Sequence, residues 1–150
     1  MTSTGPGATP RILVGVDGSP ASVGALWWAA RYANLASYTV DALISWEWPT
    51  SYGTALMLPE GYDPQADAAK VAEDAVAPVR EQQPSVSIRT VVVEGHPARS
   101  LVDASVGAEL LVVGSRGHGE LGGILLGSVS QHCAAHAHCP VLVYRHDPEP

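Results

Sequence analysis

The stretch ELLVVGSRGHGELGGILLGS (Glu109–Ser128) decides the fold. It opens as a short apolar run, of the kind expected for a strand buried on both faces. From Gly114 to Ser128 six of fifteen residues are glycine, so backbone there must come close to something. The next segment, SVSQHCAAHA (Ser128–Ala137), has a helical pattern, and PVLVYR (Pro140–Arg145) is again a short apolar run. Strand, glycine-rich connection, helix and strand in this order make a β-α-β unit.

The same alternation extends toward the N-terminus. RILVGV (Arg11–Val16), YTVDALISW (Tyr38–Trp46) and VSIRTVVV (Val86–Val93) are expected to be strands. GSPASVGALWWAARYANLA follows the first of them. Ser19 suits its N-cap, Pro20 its first position, and Val23, Leu26, Trp27, Ala30 and Ala33 recur at helical spacing. Trp27 is expected in the core and Trp28 partly exposed. Gln65–Gln83 is expected to be a helix bent at Pro78. His96–Gly107 is expected to be a helix with Pro97 near its start and Gly107 as its C-cap. Glu47–Pro64 has no clear period and reads as a long loop, a lid or a variable insertion. Five strands alternating with helices imply an α/β fold with a parallel sheet and helices on both faces.

The 150 residues fit one domain. A chain of this size buries roughly 68–70% of its unfolded surface, enough for a core without staples. The net charge of −7 argues against nucleic acid and acidic membranes as partners, because both need a basic footprint. No apolar run is long enough to span a bilayer. MTSTGPGATP (residues 1–10) lacks the basic and apolar regions of a signal peptide and is expected to be a disordered lead-in, with a tail over 147–150. A cytoplasmic location follows as the expectation, with Cys133 and Cys139 reduced.

In an open parallel sheet the ligand sits beyond the carboxyl ends of the strands. Two segments follow strand ends: VDGS, carrying Asp17, and the glycine stretch. A phosphate-binding GxxxxGK[ST] loop is excluded, since the chain's single lysine is Lys70. GHGELG (Gly117–Gly122) matches GxGxxG, but no helix opens within it and no acid follows about twenty residues later, as a dinucleotide site requires. The longer spacing Gly114-x2-Gly117-x9-Gly127-Ser128 remains. It places a Gly-Ser pair at a helix start, where free amides attract phosphate. Asp17 could accept from sugar hydroxyls. The same spacing also suits a ligand-free connection whose Ser128 caps the helix, and the residues alone leave both readings open.

RILVGVDGSPAS, VEGHPARSLVDAS and the closing GSRGHGELGGILLGSVSQHCAAHAHCPVLVYR resemble the universal stress protein family. The likeness covers nearly all of Arg11–Arg145 except Glu47–Pro64, and the family domain would span 11–146. It implies a single-domain, Rossmann-like sheet of order 3-2-1-4-5, with Asp17 and the glycine stretch side by side. It further implies ATP as ligand, with or without Mg2+. By resemblance the nucleotide site comprises Gly15, Val16 and Asp17 after the first strand, with Asp17 at the ribose or adenosine end. Trp46 lies where the family seats adenine, and as a large residue it could stack on the base or crowd it. Val113, Gly114, Ser115, Arg116, Gly117 and His118 would line the nucleotide, and Gly127, Ser128, Val129 and Ser130 would hold phosphates. The family often dimerises through the last strand, which implies a homodimer. ATP, AMP and a cyclic nucleotide are not distinguished by these residues, and the protein partner is unknown.

No catalytic set is expected. Arg116 could stabilise charge and Asp17 could assist a metal, but no second carboxylate is tied to the phosphate loop. The chain therefore reads as a nucleotide-binding regulatory module of the stress response with little or no hydrolysis. The alternatives are a slow ATPase and a family member acting through protein contacts alone. An ATP pyrophosphatase of the related α-hydrolase group is disfavoured, because VDGSPAS lacks the SGGxDS-like loop. His132 and His136 are spaced to face one metal, yet four ligands do not converge, so no metal site is expected.

Overall fold

The computed structural model describes residues 9–49, 57–116 and 126–146. The lead-in up to residue 8, the tail 147–150, Gly117, His118 and residues 50–56 of the expected loop lie outside the described residues. The element order is β1 (Arg11–Gly15), α1 (Pro20–Ala36), β2 (Thr39–Trp46), α2 (Pro64–Gln82), β3 (Ile88–Glu94), α3 (Pro97–Ala104), β4 (Leu110–Gly114), α4 (Ser128–His136) and β5 (Val141–Tyr144). The five strands form one sheet in the order β3-β2-β1-β4-β5, and every pair is parallel. The expected order is thus the observed one.

Strand alternation sends side chains to two apolar layers. Ile12, Val14, Val40, Ala42, Ile88 and Val112 pack with Ala25, Leu26 and Ala29 of α1 and with Val76 and Val79 of α2. Leu13, Leu43, Leu111 and Val113 pack with Leu101 of α3 and Cys133 of α4. Burying one such Val or Leu contributes roughly 1.5–3 kcal/mol. Ser19 caps α1 by accepting the Ser22 amide at 3.3 Å, and Pro20 opens the helix. The buried stripe of α1 is mostly alanine (Ala21, Ala25, Ala29, Ala30, Ala33), so the helix can lie close to the sheet. Trp27 and Trp28 are both half-buried and pack against this core from its margins, so Trp27 does not sit within it.

α2 runs from Pro64 to Gln82 as one helical segment with the exposed Pro78 inside it. One expected helix end changes. α3 ends at Ala104 with Ser105 as its cap, and Gly107, at φ 81°, turns the chain two residues later. Ser105 ends the helix by hydrogen bonding: its amide donates to Leu101 and Val102, and its hydroxyl donates to Val102 at 2.6 Å.

One carboxylate is buried in the sheet. Asp41, only 6% exposed, accepts from Arg89 Nη2 at 2.8 Å and Nε at 3.2 Å, and Arg11 Nη1 lies 3.7 Å away. Arg11 also donates to the carbonyls of Ala104 and Val106 at 2.9 and 3.0 Å, which ties the end of α3 to β1. The two arginines supply the opposite charge and donors that a buried carboxylate requires.

Candidate functional site

The chain leaves β1 toward β2 on one side, while β4 neighbours β5 on the other. The connections that leave the carboxyl ends of β1 and β4 therefore run to opposite sides, and a crevice opens between them. A cleft of about 320 Å³ lies there, within the roughly 300–1,000 Å³ usual for ligand pockets. β1 and its exit contribute Gly15, Val16 and Asp17, and β4 and its exit contribute Val113, Gly114 and Arg116. The start of α4 contributes Gly127, Ser128, Val129 and Ser130. Asp17 and Arg116 are the charged side chains among the described lining residues.

Asp17 is held by the turn that follows it. Its Oδ1 accepts the Ser19 amide at 2.8 Å, and its own amide donates to the Ser22 hydroxyl at 3.2 Å. Gly18 sits at φ 81°, a left-handed conformation that glycine adopts without a Cβ penalty. The same serines that start α1 thus fix the aspartate at the cleft mouth.

The opposite wall is tied together by Ser130. Its buried hydroxyl is shared between the carbonyls of Gly127, at 3.0 Å, and Ser115, at 3.2 Å. The Gly127 amide also donates to the Ser115 carbonyl at 2.6 Å, and the Ser115 amide donates to Tyr144 at 2.7 Å. Both ends of the glycine stretch are therefore fastened where β4 leaves the sheet. Ser115 itself is buried and supports the wall from behind.

The N-terminus of α4 differs from those of the other described helices. Ser19, Asp63 and His96 each accept a first-turn amide of their helix through a side chain. Gly127 is the N-cap of α4 and makes no side-chain cap bond, so Ser128 is the first helical residue and not the cap. The amides of Ser128, Val129 and Ser130 have no intrahelical acceptor. These residues line the cleft, and the helix dipole adds roughly half a positive charge there.

Gly114 is glycine for a reason the spacing did not reveal. A Cβ on it would lie 2.8 Å from the carbonyl carbon and Cβ of Ala21 and 3.0 Å from the Ser22 amide nitrogen. The first turn of α1 occupies that space, so close packing of α1 on β4 requires the glycine. At Gly15 the nearest atom to such a Cβ is a methyl of Leu101, at 2.8 Å, which can move.

Trp46 is a correction. It does not line the cleft; it packs beside Ile44, Ala68, Ala72 and Val92 on the α2 side of the sheet, with its ring edge-on to Trp48 at 5.6 Å. Strand parity is the reason: Leu43 points to the α3/α4 side, and Trp46, three residues on, points to the other. The cleft residues that the sequence did not single out are Ser22, Leu43, Pro97 and Leu101. Pro97 and Leu101 lie in VEGHPARSLVDAS, a segment already set apart as a strand-helix junction. Gly117 and His118 lie outside the described residues.

Cys133 is fully buried beneath α4, and burial, with Cys139 nearby, pushes its thiol up to about 11. Burial also raises Cys139. Both thiols are free. Among the described residues no group of three or more His, Cys, Asp or Glu gathers as a metal cluster, and no helix is long and apolar enough to cross a membrane.

The model of the universal stress protein family matches residues 9–145. The chain belongs to that family. It is 40% identical over 140 residues to the universal stress protein Rv2623 of Mycobacterium tuberculosis, a match covering 89% of this chain and 44% of that protein. The chain thus spans about half the length of the curated relatives it matches. Among solved structures, UspA from Lactobacillus plantarum is 25% identical with a TM-score of 0.74, covering 92% of this chain and 99% of that one. A universal stress protein in complex with cAMP is 27% identical with a TM-score of 0.69, covering 93% and 99%.

Proposed function

We propose that this universal stress protein binds an adenine nucleotide, with ATP as the reference ligand, in the cleft between β1 and β4. It acts as a cytoplasmic regulatory module of the stress response with little or no hydrolysis. One observation carries the reading: the side-chain-free N-terminus of α4 and the carboxylate of Asp17 border the same cleft. Free amides at a helix start suit phosphate. A carboxylate accepts at about four lone-pair positions and can take a sugar hydroxyl beside the Ser19 amide. Leu43, Leu101 and Val113 offer an apolar surface for the base. With Trp46 on the opposite face of the sheet, no indole competes with adenine for that surface. The relative solved with cAMP supports the ligand class.

Arg116, which lines the cleft, would meet phosphate charge, and Mg2+ would arrive on the nucleotide's phosphates, since Asp17 is the one carboxylate in the described lining. A lone carboxylate already engaged in its own turn is a poor general base, which supports binding without turnover. In the same proposal the chain forms a homodimer through β5, an edge of the described sheet whose unpaired backbone groups can pair with a second copy. Calorimetric titration of nucleotide-stripped protein with Mg-ATP, AMP and cAMP tests the reading. Saturable binding that Asp17→Ala weakens is expected, and no binding of any of the three would refute it.

A further inference from the structure

His132 and His136 lie one turn apart on α4, and both are exposed. Their ring centroids are 4.5 Å apart and the rings are tilted by 46°. We propose that this pair forms a two-histidine site for a divalent transition ion, with Zn2+ as the reference case. Zn–N bonds of about 2.0–2.1 Å at a near-tetrahedral angle set two ligating rings roughly 5 Å apart between centroids. The observed separation of 4.5 Å is within easy reach of that value, and helical i,i+4 spacing keeps the two rings adjacent.

The donor set fixes the class of ion. Imidazole nitrogens suit Zn2+, Cu2+ and Ni2+, whereas Mg2+ and Ca2+ take oxygen ligands. Local charge favours a cation as well. His136 is the last residue of α4, where the helix dipole presents roughly half a negative charge. The chain as a whole carries −7, which draws cations to its surface. Two protein ligands leave the other coordination positions to water or to an incoming group, as in an open site. An ion bridging the two rings would clamp the last turns of a nine-residue helix, a length marginal on its own in water.

Titration of the full chain with zinc chloride, followed by calorimetry, tests the proposal. One equivalent per chain is expected to bind, with affinity falling by about tenfold or more in His132→Gln and in His136→Gln, as for loss of groups that matter to a metal site. His138→Gln is expected to bind as the native chain does. Ring-proton NMR of the native chain gives a second measurement, in which the His132 and His136 signals should shift together with added Zn2+. Absence of saturable binding, unchanged affinity in both glutamine variants, or zinc-induced shifts confined to other histidines would overturn it.

Discussion

Replacing Gly114 by alanine separates a glycine kept for a ligand from one kept for packing. The added methyl would lie 2.8 Å from two atoms of Ala21 and 3.0 Å from the Ser22 amide nitrogen. Ordinary carbon contacts lie near 3.5–4.0 Å, so the first turn of α1 would have to retreat from β4 by roughly half an ångström or more. Two of the three obstructing atoms are backbone, and no side-chain rotation relieves them. Overpacking of this kind costs about 1–3 kcal/mol. For a domain of this length each kcal/mol lowers the melting temperature by roughly 2–4 °C, giving a drop of roughly 2–12 °C. Gly15→Ala is the control, because its methyl would meet a movable methyl of Leu101, and its cost should be the smaller of the two. Differential scanning calorimetry without nucleotide reads both. An unchanged melting temperature for Gly114→Ala, or a larger loss for Gly15→Ala, would refute the packing argument. Because Ser22 also holds the Asp17 amide, Gly114→Ala should weaken nucleotide binding too.

Ser130→Ala removes the hydroxyl that joins Ser115 to Gly127; stability should fall by about 1 kcal/mol in urea melts, and nucleotide affinity should fall by up to about tenfold by calorimetry. Asp41→Asn leaves Arg11 and Arg89 facing each other without their carboxylate. Arg89 is largely exposed, so the loss should be about 1–2 kcal/mol at neutral pH, below that of a fully buried pair, with partial recovery in high salt. Cys133 titrates near 11 in the folded chain against an ordinary 9.0. The folded state then holds the proton more tightly, so stability is full below about pH 9 and falls by roughly 2–3 kcal/mol as pH rises to about 11. Urea melts across that range should show this slope, and a Cys133→Ala chain should show a shallower one.

The fold was largely legible because its strands are short apolar runs, and Ser19-Pro20 and Pro97 mark the starts of α1 and α3 in the sequence as in space. What stayed hidden depends on register and parity. β2 is buried on both faces, so YTVDALISW carries no alternation to show that Leu43 faces the cleft while Trp46 faces α2. Asp41 is a charge inside the apolar run of β2, and its partners Arg11 and Arg89, far away in sequence, meet it only through strand pairing. The end of α3 went to Ser105 and not Gly107, since the serine's own hydrogen bonds close the helix before the glycine turns the chain. Gly114 fits both a ligand-approach and a packing reading in sequence; only the position of Ala21 separates them. Ser130 was picked as a phosphate contact by resemblance, while its role in fastening the two ends of the glycine stretch appears only in three dimensions.

In the proposed function, the first turn of α4 receives the phosphates of an adenine nucleotide. The most direct measurement is a backbone-amide NMR titration with Mg-ATP and, separately, with adenosine. The amides of Ser128, Val129 and Ser130 should shift strongly with Mg-ATP and weakly with adenosine, following one binding curve with the Asp17 amide. Equal shifts with adenosine, or Mg-ATP shifts that leave these amides unmoved, would contradict the account.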